Sequence, residues 1–110
     1  MVRMGWRIAV KRLKKGLAPM HPGELLREEI LPAIGKSKTE IAELLGISRQ
    51  TLYDILDERQ PVTPAMALRL GKLCGNGPRL WINLQRSYDL WKAEKEIGNE
   101  VKKIPTLEVA

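Results

Sequence analysis

Arg49 and Gln50 are adjacent in the sequence, and each has a planar side chain that can form two parallel hydrogen bonds at once. In the major groove of DNA, arginine makes such a pair with guanine and glutamine makes it with adenine. Thr51 can reach a phosphate or a thymine methyl group, and Tyr53 can contact a phosphate or stack on a base. The chemistry of this segment is therefore that of DNA recognition, and we predict base contacts from Arg49, Gln50, Thr51 and Tyr53.

Polar residues on either side of this group are suited to holding the DNA backbone. Lys38 and Thr39 stand at the start of a predicted helix, and helix N-termini bind phosphate. We predict phosphate contacts from Lys36, Lys38, Thr39, Ser48 and Arg59. Asp54 is less easily placed beside a polyanion, and it would either accept a hydrogen bond from cytosine or brace Arg49. For each of these side chains the alternative is an ordinary solvated surface residue.

The elements that must position these side chains follow a helix-turn-helix pattern over residues 38–57. Two short helices packed at a steep angle need a small residue where they approach most closely and a turn residue that tolerates positive φ, and Ala42 and Gly46 meet these needs. The inward positions are apolar: Ile41, Leu45, Ile47, Leu52 and Ile55. An ordinary helical pair in another all-α domain would not require this combination. We therefore predict a recognition helix over residues 49–57, with its apolar side in the core.

Start and stop signals predict five helices in all and no strand. Proline at the first helical position marks three of the starts, at Pro22, Pro64 and Pro78. We expect Pro32 and Gly35 to end the first helix, Gly75 to end the fourth, and Gly98 to weaken the end of the fifth. The predicted organisation is a basic extension over residues 1–20, an all-α domain over 21–97 and an irregular tail over 98–110.

The net charge of +6 is unevenly distributed. Residues 1–20 hold six basic residues and no acid, whereas the other 13 basic residues are balanced by all 13 acids. The neutral body makes overall charge weak evidence for DNA binding. The extension itself is consistent with a mobile basic tail, or with an amphipathic helix or a strand that docks on a partner. Met20 is a candidate second translation start.

Several classes of protein are excluded by composition. One cysteine, Cys74, and one histidine, His21, provide no intrachain disulfide and too few ligands for a Cys/His zinc site. The sequence has no apolar run of about 18 residues, so we expect no membrane span. We expect no cofactor and no enzymatic activity, since no nucleophile or base is organised around the carboxylates of Asp89 and Glu94. A cytoplasmic location follows by default.

Four segments together resemble one family. Residues 20–29, MHPGELLREE, are similar to the "HPGE" opening of HigA-type antitoxins, and residues 61–70, PVTPAMALRL, to the segment that follows their recognition helix. Residues 80–91 contain LWINLQ and YDLW, which resemble their "WxNLQxxYDLW" close. With the helix-turn-helix, the resemblance covers about residues 20–93. It departs at Gly77, where the family usually has Ser or Thr, and in the longer N-terminal extension.

The resemblance implies a lambda-repressor-like domain of the XRE/Cro-like family and two activities. One is neutralisation of a HigB/RelE-like toxin, an mRNA endonuclease, and the other is repression of the protein's own operon through operator DNA. It also implies a structural role for His21 at the start of the first helix. The alternatives are a stand-alone helix-turn-helix regulator without a toxin, and a protein-interaction module whose helix-turn-helix is vestigial.

A homodimer is expected because helix-turn-helix repressors read palindromes with two recognition helices about 34 Å apart. The fifth helix is the best candidate for the self-complementary surface, being long, amphipathic and rich in large side chains. We expect Trp81 and Leu84 to face the core. The predicted interface residues are Tyr88, Leu90 and Trp91. The alternative is that the whole apolar stripe belongs to the core of one chain.

Overall fold

The computed structural model describes residues 18–108, and this part of the chain is all-α, with five helices and no strand. Helix α1 consists of three contiguous segments: Pro22–Leu25, Leu26–Ile30 and Leu31–Ile34. It is followed by α2 (Lys38–Leu45), α3 (Arg49–Leu56), α4 (Pro64–Cys74) and α5 (Pro78–Val101). The predicted all-α class and helix order are confirmed. Residues 1–17, most of the predicted basic extension, lie outside the described residues.

Helix α1 does not end at Pro32, so that part of the prediction is wrong. Its middle segment is π-helical, and the amide of Leu31 donates to the carbonyl of Leu26, five residues earlier. A proline inside an α-helix crowds the carbonyl four residues before it, and a wider π turn relieves this crowding. The helix ends at Gly35, as the other part of the prediction expected, and this residue has the left-handed φ of 72°.

The helix-turn-helix forms as predicted. Ser37 caps α2 in a reciprocal capping box with Glu40. Gly46 ends α2 with φ 71°, and Ser48 caps α3 by accepting from the amide of Thr51. Ala42 is fully buried. Local side-chain caps and one glycine therefore fix the lengths and the turn of both helices.

The core draws on all five helices. Its buried apolar side chains include Leu25, Leu26, Ile30, Ile41, Leu45, Leu52, Ile55, Leu56, Leu70, Trp81 and Leu84. The sequence has no phenylalanine, and among residues 18–108 Trp81 is the largest side chain that is fully buried. The predicted inward orientation of Trp81 and Leu84 is confirmed.

Helix α5 is longer than the sequence pattern suggested. It has 24 residues and continues through Gly98 to Val101, so residues 98–101, which the prediction placed in the tail, are helical. Within residues 18–108 no neighbouring side chain or other segment lies within 4 Å of the position that a Cβ at Gly98 would occupy. Residues 102–108 then lack regular secondary structure, as predicted.

Candidate nucleic-acid interface

Helix α3 has one buried side and one solvent-facing side. Its inner residues Leu52, Ile55 and Leu56 are at most 2% exposed. Arg49 and Gln50 are exposed on the other side. Tyr53 is 40% exposed, and Thr51 is half-buried. The prediction that the apolar side of this helix lies in the core is therefore confirmed, and its polar N-terminal turn is accessible to a ligand.

The first turn of α3 is held by two hydroxyl groups. Ser48 Oγ accepts from the Thr51 amide at 3.0 Å and donates to Thr51 Oγ1 at 2.9 Å. The Ser48 hydroxyl is thus engaged in capping, and the hydrogen of the Thr51 hydroxyl remains for an outside acceptor. Of these two predicted contacts, the geometry leaves Thr51 the better donor to a phosphate or a base.

Lys38 links the two helices of the motif on their solvent side. Its Nζ lies 5.6 Å from the centroid of the Tyr53 ring, within range of a cation–π interaction. Lys36 and Thr39 are also exposed, so the start of α2 presents cations and free helix amides beside the outer face of α3. Among residues 18–108, Arg49 has no ion-pair partner, which leaves its guanidinium available.

Asp54 braces Gln50 rather than Arg49, so the alternative of an Asp54–Arg49 pair is wrong. Gln50 Nε2 donates to Asp54 Oδ1 at 2.9 Å. Arg59 Nη2 lies 3.1 Å from the same oxygen and 3.2 Å from Asp57 Oδ2. Arg59 is exposed, but its charge is shared with two carboxylates, which makes it a weaker phosphate ligand than Lys38.

Two arginines that the sequence analysis missed hold the motif in place. Arg69 of α4 donates through Nη1 to the carbonyl of Leu45 at 2.7 Å, at the C-terminus of α2. Arg27 of α1 donates to the carbonyl of Leu56 at the C-terminus of α3. Both satisfy carbonyl groups that a helix end leaves without partners. No local pattern predicts them, because the partners are 24 and 29 residues apart.

Arg27 also contacts two carboxylates. Its Nε donates to Glu28 at 2.8 Å, and its Nη2 lies 3.3 Å from Glu58. The hydrogen bonds that Arg27 donates, first to Glu28 and then to Glu58, raise the pKa of Arg27 above its ordinary value, although partial burial acts in the opposite direction. Arg27 therefore remains charged at any physiological pH, and the C-terminus of α3 stays anchored to α1.

His21 has the structural role that the resemblance implied. Its Nδ1 accepts from the amide of Gly23 at 2.9 Å, which caps α1, and its ring meets Tyr88 edge-on at 5.0 Å. Burial lowers the pKa of His21 below 6.5, although the Glu58 and Asp89 carboxylates act in the opposite direction. The imidazole is neutral at pH 7, as an accepting Nδ1 requires.

Gly23 permits the close approach of α1 to the recognition helix. A Cβ on Gly23 would lie 1.9 Å from the carbonyl oxygen of Ile55, a distance that no side chain tolerates. In the sequence this glycine is recognisable only as part of the "HPGE" segment. A glycine is needed here because the backbone of α1 lies against the backbone of α3. The start of the domain is therefore packed directly on the predicted recognition helix.

The described residues offer little for other chemistry. Within residues 18–108 no group of three or more His, Cys, Asp or Glu side chains could hold a metal ion. Burial raises the pKa of Cys74 to about 11, so its thiol is protonated at neutral pH. No helix in the same range is both long enough and apolar enough to cross a membrane.

The predicted interface residues of α5 lie where the helix leaves the core. Leu90 is 61% exposed. Tyr88 and Trp91 are half-buried, with ring centroids 5.9 Å apart, and Tyr88 also packs on His21. Ile97 and Val101, which the sequence analysis did not include, continue the exposed apolar surface of Leu90 along the helix.

Comparison with known proteins places this geometry in a family, although no protein-family model matches the chain. Virulence-associated protein I of Dichelobacter nodosus is 37% identical over 83 residues, which cover 76% of this chain and 77% of that protein. Antitoxin HigA-1 of Vibrio cholerae is 30% identical over 92 residues, covering 84% and 87%. The solved structure of Pseudomonas aeruginosa antitoxin HigA with the higBA promoter superimposes with a TM-score of 0.77 at 35% identity, covering 82% of this chain and 99% of that one. The chain belongs to the HigA family of helix-turn-helix antitoxins.

Proposed function

We propose that this protein is the antitoxin of a type II toxin–antitoxin pair, which binds its own operator as a repressor and neutralises a HigB/RelE-like mRNA endonuclease. The observation that carries the DNA-binding part is the division of α3 into a buried apolar side and an accessible side. Arg49, Gln50 and Tyr53 occupy that accessible side, and Lys38 stands next to it. This is the arrangement with which a helix enters a major groove.

On this surface the residues proposed to contact bases and those proposed to contact phosphates lie on different helices. The first turn of α3 supplies Arg49 and Gln50, whose side chains pair with guanine and adenine edges. The start of α2 supplies Lys36, Lys38 and Thr39 to the backbone. The HigA structure from Pseudomonas aeruginosa, which contains promoter DNA, supports a role of this surface at an operator.

A homodimer would supply the second recognition helix that a palindromic operator requires. The candidate surface is the α5 stripe, by which we mean Leu90, Ile97 and Val101, flanked by Trp91. These residues recur at helical spacing along one side of α5, and the three aliphatic side chains are about half exposed or more. Tyr88 is a boundary residue, because its ring already packs against His21.

Toxin neutralisation is proposed from family membership. The relatives include an antitoxin, HTH-type transcriptional regulators and virulence-associated proteins, and we infer that this chain acts by binding and not by catalysis. Its place of action would be the cytoplasm, where both operator and toxin are found.

The DNA-binding proposal is tested with Arg49→Ala and Lys38→Ala. Removing the bidentate side chain of Arg49 should weaken operator binding by about 1–3 kcal/mol and relax the preference at one base position. Removing Lys38 should weaken binding to all sequences and lower its salt dependence.

Fluorescence anisotropy with the DNA upstream of the gene, at several salt concentrations, measures both effects. Lys103→Ala, in the exposed tail, is the charge-matched control. Unchanged operator affinity and preference for Arg49→Ala would overturn the assignment of α3.

Co-expression with the neighbouring gene separates an antitoxin from a stand-alone regulator. An antitoxin should co-purify with a small basic partner and relieve its growth inhibition. Operator binding without such a partner would favour the stand-alone regulator instead. Partner binding without specific operator binding would favour the protein-interaction module, whereas loss of operator binding in Arg49→Ala would count against it.

A further inference from the structure

Gln50 and Asp54 lie one helical turn apart on the outer side of α3. They form a hydrogen bond in which Gln50 is the donor and Asp54 is the acceptor. Gln50 Nε2 donates to Asp54 Oδ1 at 2.9 Å. An ionised carboxylate can only accept hydrogen bonds, so it selects the NH₂ end of the glutamine amide. The Gln50 oxygen Oε1 therefore lies on the side away from Asp54.

Asp54 is itself fixed on two sides. Its carboxylate is paired with Arg59 at 3.1 Å, and its side chain is only 28% exposed. Its backbone carbonyl accepts from the amides of Arg59 at 2.9 Å and Gln60 at 3.2 Å, which folds the chain after α3 back onto it. The acceptor that orients Gln50 is thus held by a charge pair and by the backbone.

The orientation of the Gln50 amide decides which purine it fits. Adenine presents a donor, N6, and an acceptor, N7, in the major groove, whereas guanine presents only acceptors, N7 and O6. An amide with Oε1 free and one Nε2 hydrogen remaining complements adenine with both of its groups. Toward guanine the same orientation places Oε1 against an acceptor. An amide free to rotate by 180° could instead donate both of its hydrogens to guanine.

We propose that Asp54 is a positioning residue that makes Gln50 select adenine over guanine in the operator. The inference rests on the proposed function, because it requires α3 to bind operator DNA. It also gives a purpose to a carboxylate on a surface that faces a polyanion. The pair with Arg59 offsets the charge of Asp54, and the remaining acceptor capacity orients the base-reading side chain.

The test is a binding panel in which each operator base pair is replaced in turn. The position where Gln50→Ala loses its preference is the one that Gln50 contacts. There the wild-type protein should favour adenine over guanine, and Asp54→Ala should reduce that preference by roughly fivefold or more, since a correct bidentate pair supplies discrimination of at least this size. Preferences at the other positions should remain.

Asp57→Ala is the matched control. It also removes one negative charge and one partner of Arg59, but Asp57 makes no contact with Gln50. It should raise the affinity for all DNA sequences and keep the adenine preference. Asp54→Asn is the second variant, isosteric with the native residue. Because the neutral amide lacks the charge pair with Arg59 and can turn either its oxygen or its NH₂ group toward Gln50, it fixes Gln50 less firmly, and the preference should fall here too, by less than in Asp54→Ala.

The outcomes are distinct. A preference that falls in Asp54→Ala and Asp54→Asn, but not in Asp57→Ala, supports the inference. A preference retained in both Asp54 variants, or lost equally in Asp57→Ala, overturns it while operator binding stands. If the wild-type protein binds no operator, the proposed function fails and the inference fails with it.

Discussion

The two halves of α5 belong to one continuous helix but have opposite environments. In the first half Trp81, Leu84 and Gln85 are buried. In the second half, beyond the half-buried Trp91, every residue from 92 to 97 is exposed, and Gly98 is half-buried before the helix ends at Val101. The first half is therefore ordered by the core of its own chain. The second half has helical geometry without tertiary packing by the described residues.

Directed polar contacts as well as apolar packing hold the first half. Gln85 Oε1 accepts from the Val62 amide at 2.8 Å, and its Nε2 donates to Asp89 at 2.9 Å. Trp81 Nε1 donates to Asn76 Oδ1 at 3.0 Å. Each of these buried polar groups would otherwise be costly, so the contacts fix the rotation of α5 about its axis as well as its position.

The second half has the features expected of a helix that packs on another molecule, as we propose for the α5 stripe. Its apolar residues form the α5 stripe, and Lys95 Nζ lies 4.5 Å above the Trp91 ring. A helix of this kind derives little stability from its own propensity and gains most of it from packing. The contrast between the halves thus predicts that substitutions in the first affect folding and substitutions in the second affect association.

Trp81→Ala should have the largest effect. Removing a fully buried tryptophan from the core costs about 3–5 kcal/mol, and it also deprives Asn76 of a hydrogen-bond donor. Denaturant unfolding followed by circular dichroism measures the loss. A loss below about 1 kcal/mol, within the range of surface substitutions, would mean that the first half of α5 does not depend on this core.

Trp91→Ala is the counterpart in the second half and should act on association. An aromatic anchor in an interface contributes about 2 kcal/mol or more, so we expect a folded monomer with weakened operator binding. Sedimentation at micromolar concentration reads the oligomeric state, and denaturant unfolding reads the fold. Should the variant stay dimeric and lose stability as Trp81→Ala does, Trp91 belongs to the core of its own chain and the comparison breaks down.

The sequence predicted the features that are local and missed those that are not. Ser48, Thr63 and Gly46 act on amides or turns within a few residues, so their types and spacing were sufficient. The hydrogen bonds of Arg27 and Arg69 join segments far apart in the chain and follow only from the packed structure. The prediction at Pro32 was wrong because a proline rule for α-helices does not anticipate a π turn.

For the candidate site, the sequence identified the accessible side of α3 but not how its side chains are organised. Leu52 and Ile55 established which side was buried, and the exposed residues followed by exclusion. The partner of Asp54 could not be chosen, since Arg49, Gln50 and Arg59 are all within reach in sequence terms. The described geometry selects Gln50 and Arg59.

Two glycine substitutions test the contrast between the halves of α5 with smaller expected changes in stability. Gly98→Ala should stabilise the second half by about 0.5–1 kcal/mol, because alanine is the better helix former and its Cβ would meet nothing within 4 Å. Gly71→Ala in α4 should instead destabilise the protein, because its Cβ would lie 2.3 Å from the backbone of Gly77 at the start of α5. Thermal unfolding of both variants gives the signs. A destabilised Gly98→Ala would show that residues 98–101 are not helical in solution or that the position is covered.

The smallest effect concerns pH at His21, which touches Tyr88 at the junction of the two halves. Burial lowers the pKa of His21 in the folded protein below 6.5, its ordinary value, while Glu58, Asp89 and Glu24 raise it and Arg27 lowers it. As the pH falls through about 6.5 the unfolded chain therefore takes up the proton first, and the free energy of unfolding decreases. Protonation would also place a hydrogen on Nδ1 and remove the cap on the Gly23 amide.

His21→Asn keeps an acceptor at the cap but does not titrate in this range, so its unfolding free energy should decline less between pH 7.5 and 5.5 than that of the wild type. If the free energy of unfolding changes equally with pH in the two proteins, the pKa of His21 is the same in the folded and unfolded chain. Burial beside Tyr88 would then not lower that pKa.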